Sequence, residues 1–110
     1  MLEKSIVRQR MVVELISEVD LKDHNLYYRF LVELTKEIGM KMFFGPIVAD
    51  CVLGPSAWVA WMESGAQIHS FLPSNLLTID VYSCKPYSKE KVVEVAKKYF
   101  KPKPENIEVF

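Results

Sequence analysis

Two cysteines, two histidines and four glycines are all that this 110-residue chain contains of three residue types that often organise a fold or a site. Cys51 and Cys84 are too few for a disulfide framework, and neither belongs to a Cys-x-x-Cys pair. His24 and His69 stand at metal-ligand spacing neither from each other nor from a cysteine, which argues against a structural zinc site. No apolar run reaches the roughly 18 residues of a membrane span, because Lys41, Asp50 and Glu63 interrupt the most hydrophobic third. The opening MLEKSIVRQR is charged throughout and lacks the apolar stretch of a secretory signal. A surplus of charge is missing as well. Fourteen basic residues balance 14 acidic ones, which leaves no excess of Lys and Arg for a phosphate backbone. Internal repeats, low-complexity tracts and linkers are also lacking. The expectation is a soluble, cytoplasmic, single domain over 1–110, with no metal and neither a nucleic-acid nor a membrane partner.

What the chain does contain is an ordered alternation of strand and helix signals. Met11 to Val19 is β-rich. Asp20 and Asp23 then offer helix N-caps, with Leu26, Phe30, Leu34 and Ile38 recurring near helical spacing and Gly39 placed as a C-terminal glycine. Met40 to Val48 reads as a strand bent by Gly45-Pro46, and Ser56 to Glu63 as another after the Gly54-Pro55 turn. The latter is apolar on both faces, which predicts cover on both sides. Ser64-Gly65 breaks the pattern before strands over Ala66 to Leu72 and Leu76 to Cys84. Ser88 caps a second helix that Pro102 stops, and Asn106 to Phe110 suits a closing strand. Two helices that each bury one stripe, together with five or six strands, predict an α+β fold. Its form is a two-layer α/β sandwich, a largely antiparallel sheet with both helices on one face. The other face is then left for a ligand, a second copy of the chain, or both.

Chemistry-bearing residues concentrate between Ser56 and Cys84. With period two, Gln67, His69 and Phe71 share one strand face, and Asp80, Tyr82 and Cys84 share another. Ser64 follows Glu63 at a Glu-Ser-Gly turn. It is not a hydrolase elbow, because Met62 and Ala66 occupy the glycine positions of Gly-x-Ser-x-Gly. A serine at such a turn can instead attack its own preceding peptide carbonyl. The bland readings are a turn serine, a structural histidine and a small buried thiol.

Through GPSAWVAWMESGAQIHSF and LLTIDVYSCKP the chain resembles the short prokaryotic form of S-adenosylmethionine decarboxylase, a pyruvoyl-dependent family, over nearly its whole length. Ser56, Glu63-Ser64, His69 and Cys84 keep that family's spacing without a gap. The resemblance implies self-cleavage between Glu63 and Ser64, leaving a pyruvoyl cofactor derived from Ser64. It further implies His69 as the base that removes the serine Cα proton, Ser56 as an assisting hydroxyl and Cys84 as the proton donor in decarboxylation. The pyruvoyl carbonyl would form a Schiff base with the substrate amine and act as the electron sink. A homodimer with sites near the subunit interface, serving polyamine (spermidine) synthesis, is implied with it.

Departures from the family pattern gather around the substrate. Gly65 replaces the usual histidine after the processing serine. Pro73 stands where an acid usually holds the ribose, and Asp50 where an aromatic usually helps to hold the adenine. Phe71 keeps a ring able to stack on a base. S-adenosylmethionine is the expected substrate, bound by Phe71 and Asp50. Two other readings stay open: a pyruvoyl decarboxylase of another amino acid such as arginine or ornithine, with Asp50 meeting the substrate cation, and an unprocessed paralogue with a ligand-binding or regulatory role.

Overall fold

The computed structural model describes residues 2–110. Eight principal elements follow one another as β1 (Gln9–Ile16), α1 (His24–Glu37), β2 (Met42–Asp50), β3 (Pro55–Trp61), β4 (Ser64–Phe71), β5 (Leu76–Ser83), α2 (Lys89–Phe100) and β6 (Ile107–Val109). The strands form one sheet in the order β2-β3-β4-β5-β1-β6, antiparallel at every pairing. The α+β sandwich expected from the pattern is the fold observed.

Local chemistry explains the helix ends. Asp23 accepts the Asn25 N–H and Ser88 accepts the Lys91 N–H, so two otherwise unpaired first-turn donors are satisfied. Gly39 follows α1 with φ +71°, a backbone that favours glycine.

Both helices cover the same face of the sheet. From below, Val13, Ile68, Leu77, Ile79 and Val81 are fully buried; from above, Tyr27, Phe30, Leu31, Leu34, Val92 and Phe100 meet them. Phe30 packs edge-on against Phe100 at 5.1 Å and Tyr99 at 6.0 Å between ring centroids, which locks α1 to α2. Trp61, at the end of β3, is buried on this side and donates its Nε1–H to Thr35 Oγ1 of α1 at 2.8 Å.

Two expectations change. The strand after Glu63 does not wait until Ala66: Ser64 pairs with Trp61 and Gly65 with Ala60, which leaves only Met62 and Glu63 in the turn. Gly65 permits this because a Cβ there would stand 2.8 Å from the Val59 carbonyl oxygen, so the hairpin closes only around a bare backbone. The second change concerns β3, which is not covered on both sides within one chain. With both helices on one face, Trp58 is left 41% exposed on the other.

Candidate active site

The uncovered face carries a shallow groove of about 590 Å³ that runs along β4 from Ser64 to His69. Arg10, Trp58, Gln67, Asp80 and Tyr82 line it between those two residues. Antiparallel register places them there. Arg10 lies opposite Tyr82, and Gln67 lies between Trp58 and Asp80. Arg10 holds Asp80 through two hydrogen bonds, Nε to Oδ1 at 3.2 Å and Nη2 to Oδ2 at 2.9 Å. Such a fork fixes geometry more than it adds stability, because Arg10 is largely exposed.

Polar groups cluster at both ends of β4, with the Ser64 side chain on the helix-covered side at the groove's edge and the His69 side chain on the groove side. At the turn end, the Ser64 hydroxyl donates to Ser83 Oγ at 3.3 Å and accepts the Cys84 N–H at 3.1 Å. Cys84 Sγ donates to the Glu63 carbonyl oxygen at 3.2 Å. The bond expected to break therefore lies between a hydroxyl held by two partners and a thiol placed on its carbonyl oxygen. Tyr82 Oη stands 3.8 Å from Cys84 Sγ. That contact, with a smaller contribution from desolvation, holds the Tyr82 phenol above its ordinary range, against the pull of Arg8 and Arg10.

At the other end, Ser56 Oγ and His69 Nδ1 share a hydrogen bond of 2.9 Å across the β3–β4 pairing. Ser56 is buried and His69 is exposed, so the pair presents an imidazole steered from beneath. Phe71 continues the His69 face of β4, beyond the groove lining. Asp50 lies opposite Pro55 in a separate depression with Pro73, where its Oδ1 bonds His24 Nε2 at 2.7 Å.

The structure thus brings together Glu63, Ser64 and Cys84, and separately Ser56 and His69. It does not bring Ser64 to His69 within one chain. They stand five residues apart on a continuous strand, about 16 Å at the usual rise per residue, and their side chains leave opposite faces. Sequence reasoning also passed over Ser83, which is fully buried beside Ser64. A small polar residue on the apolar-facing side of β5, just before Cys84, was the available signal.

Among the described residues no group of His, Cys, Asp and Glu could hold a metal ion, and no helix is long and apolar enough to cross a membrane. A self-derived carbonyl group needs no ligand cluster. It needs a serine hydroxyl beside its own preceding carbonyl and polar groups around both, and the turn end supplies these.

A family model described as S-adenosylmethionine decarboxylase matches residues 9–110. Among solved structures, the adenosylmethionine decarboxylase from Aquifex aeolicus VF5 is similar to this chain with a TM-score of 0.77 and 17% identity. The match covers 96% of this chain and 88% of that one. At that identity the likeness speaks for the fold alone. No curated protein matches the chain.

Proposed function

The chain belongs to the S-adenosylmethionine decarboxylase family, and on that premise we propose that it is a pyruvoyl-dependent decarboxylase of S-adenosylmethionine, made by its own cleavage between Glu63 and Ser64, in polyamine (spermidine) synthesis. The observation that carries the reading is the turn-end cluster, in which Ser64 Oγ and the Glu63 carbonyl oxygen each have a partner from Cys84.

In this reading Ser64 Oγ attacks the Glu63 carbonyl carbon. The Cys84 thiol bonds the oxygen on which negative charge gathers, as an oxyanion donor does. The C–N bond gives way to an ester, and the hydroxyl proton passes to the freed amine. A base then removes the Ser64 Cα proton, the Cβ–Oγ bond breaks, and Glu63 departs as a carboxylate. Water finally displaces ammonia at position 64. The pyruvoyl group so formed supplies an electron sink for loss of carbon dioxide from an α-amino acid. Cys84 then supplies the proton that replaces the carboxylate, and the groove aromatics Trp58 and Tyr82 flank the bound substrate.

His69 is the base of this scheme, and its distance from Ser64 supports a homodimer. A second copy placing its His69 end against the turn end of the first completes two sites at once, as two-fold pairing requires. Ser56 would steer that imidazole. Phe71 and Asp50, at the same end, would arrive with it to contact the substrate. The uncovered sheet face, with Trp58 and Tyr82 exposed, supplies surface for such pairing.

Intact-mass measurement of the purified protein tests the cleavage, with a 1–63 fragment and a ketone-bearing second chain expected. Release of labelled carbon dioxide from S-adenosylmethionine, with arginine and ornithine as parallel substrates, tests the activity. A chain that stays whole after long incubation sinks the enzyme reading. Release from arginine or ornithine alone moves the substrate.

A further inference from the structure

We infer that Ser83 is a positioning residue for self-cleavage, one that aims the Ser64 hydroxyl proton away from the carbonyl that Ser64 attacks. The inference rests on the cleavage proposed above and adds a residue to it. A hydroxyl has one proton to donate and two lone pairs to accept with. Ser64 uses its proton on Ser83 Oγ and one lone pair on the Cys84 N–H, so a single lone pair stays free for attack. Without an acceptor at 83 the hydroxyl rotates about its Cβ–Oγ bond, and the Glu63 carbonyl oxygen becomes an alternative acceptor. That orientation turns the proton, not the lone pair, towards the electrophile.

Ser83 is built to hold this role. It is 0% exposed, so bulk water does not compete for its oxygen. Its Oγ also accepts the Lys85 N–H at 2.9 Å, which fixes the rotamer. The same loop is tied down again where Lys85 Nζ donates to the Gly39 carbonyl at the end of α1, 2.8 Å away. Ser83 lies on the helix-covered side of the sheet, among Val81, Ile79 and Leu77 in alternation. A buried hydroxyl in that row is costly unless its bonds are made, and Ser83 Oγ meets that cost by accepting from Ser64 and from the Lys85 N–H.

The test compares cleavage of Ser83→Ala, Ser83→Thr and the parent chain, synthesised in a cell-free system and followed by intact mass over time. Ser83→Ala is expected to slow cleavage about tenfold, the usual effect of one neutral hydrogen bond. Ser83→Thr keeps the oxygen and is expected to cleave within about twofold of the parent rate. Once cleaved, each Ser83→Ala chain is expected to release carbon dioxide at the parent rate, which a general loss of structure would not allow. Where Ser83→Ala fails to fold, judged by circular dichroism in a Ser64→Ala background, Ser83→Cys keeps the volume with a weaker acceptor and carries the comparison. Cleavage of folded Ser83→Ala or Ser83→Cys at the parent rate overturns the inference, and so does a Ser83→Thr chain as slow as Ser83→Ala. A parent chain that never cleaves overturns the reading beneath it as well, so the two failures are told apart.

Discussion

The two ends of the β3–β4 hairpin are unlike in construction. The turn end is closed: Ser64, Ser83 and Cys84 satisfy one another and the backbone beside them, and Trp61 anchors the turn to α1 through Thr35. The far end is open. His69 is bonded from below by Ser56 but faces solvent, and the His24–Asp50 pair nearby is exposed on both sides. A closed polar cluster can act on its own backbone, whereas an open imidazole is suited to something that arrives. On the reading proposed above, the difference divides one chain into two half-sites, each completed by a second copy.

The largest effect available is therefore all-or-none. Ser64→Ala is expected to abolish cleavage, and His69→Ala to slow it severely, when each is made alone. Co-expressed with distinguishable tags, the two should complement: the His69→Ala chain keeps its serine and receives an imidazole from its Ser64→Ala partner. Mass spectrometry should then find cleavage in the His69→Ala chain only. If the mixture is as inert as either variant alone, the two ends do not meet across copies and the contrast loses its functional meaning.

A second effect concerns the anchoring of the closed end. Trp61→Phe removes the indole donor to Thr35 and part of a buried ring, and is expected to cost about 1–3 kcal/mol in urea unfolding. Cleavage should slow with it, because the turn begins at the next residue. A variant as stable as the parent would show that the closed end does not depend on α1.

Behind the same end, Tyr87 donates to the Val81 carbonyl, and burial, with help from Asp80, pushes its phenol up to about 12. An unfolded tyrosine titrates near 10. The folded form thus keeps a proton that the unfolded form loses. The stabilisation is whole below pH about 10 and disappears as pH rises through about 12. Tyr87→Phe should flatten the alkaline limb of the stability profile while costing about 1 kcal/mol at neutral pH through the lost hydrogen bond. An unchanged alkaline limb would assign that limb to other groups.

Much of the fold is legible in the residues themselves. Asp23, Gly39 and Ser88 mark helix ends by capping chemistry that acts within a few residues, and the alternation of β5 shows which side faces the helices. The turn is where local reasoning stops. Ser-Gly reads as a breaker on propensity, yet cross-strand pairing with Trp61, Ala60 and Tyr82 carries Ser64 and Gly65 into the strand. That shift of two residues matters for the site. With Ser64 in the strand, five residues to His69 becomes a fixed distance and an opposite face, which a flexible loop would not impose. Ser83 stayed hidden for a related reason, since its partner lies 19 residues away and only the register joins them.

The smallest effect sharpens the contrast from the open side. Asp50→Asn weakens a pair with His24 whose members are 76% and 45% exposed, and exposed pairs contribute about 0–1 kcal/mol. The melting temperature should scarcely move. Cleavage should proceed at the parent rate, because Asp50 lines a depression apart from the groove that holds Ser64. If Asp50 comes to the substrate from a second copy, KM should rise while carbon dioxide release at saturating substrate stays near the parent value, the pattern of lost uniform binding. Altered cleavage would instead join Asp50 to the cutting machinery, which the open end otherwise serves through His69 and its Ser56 partner.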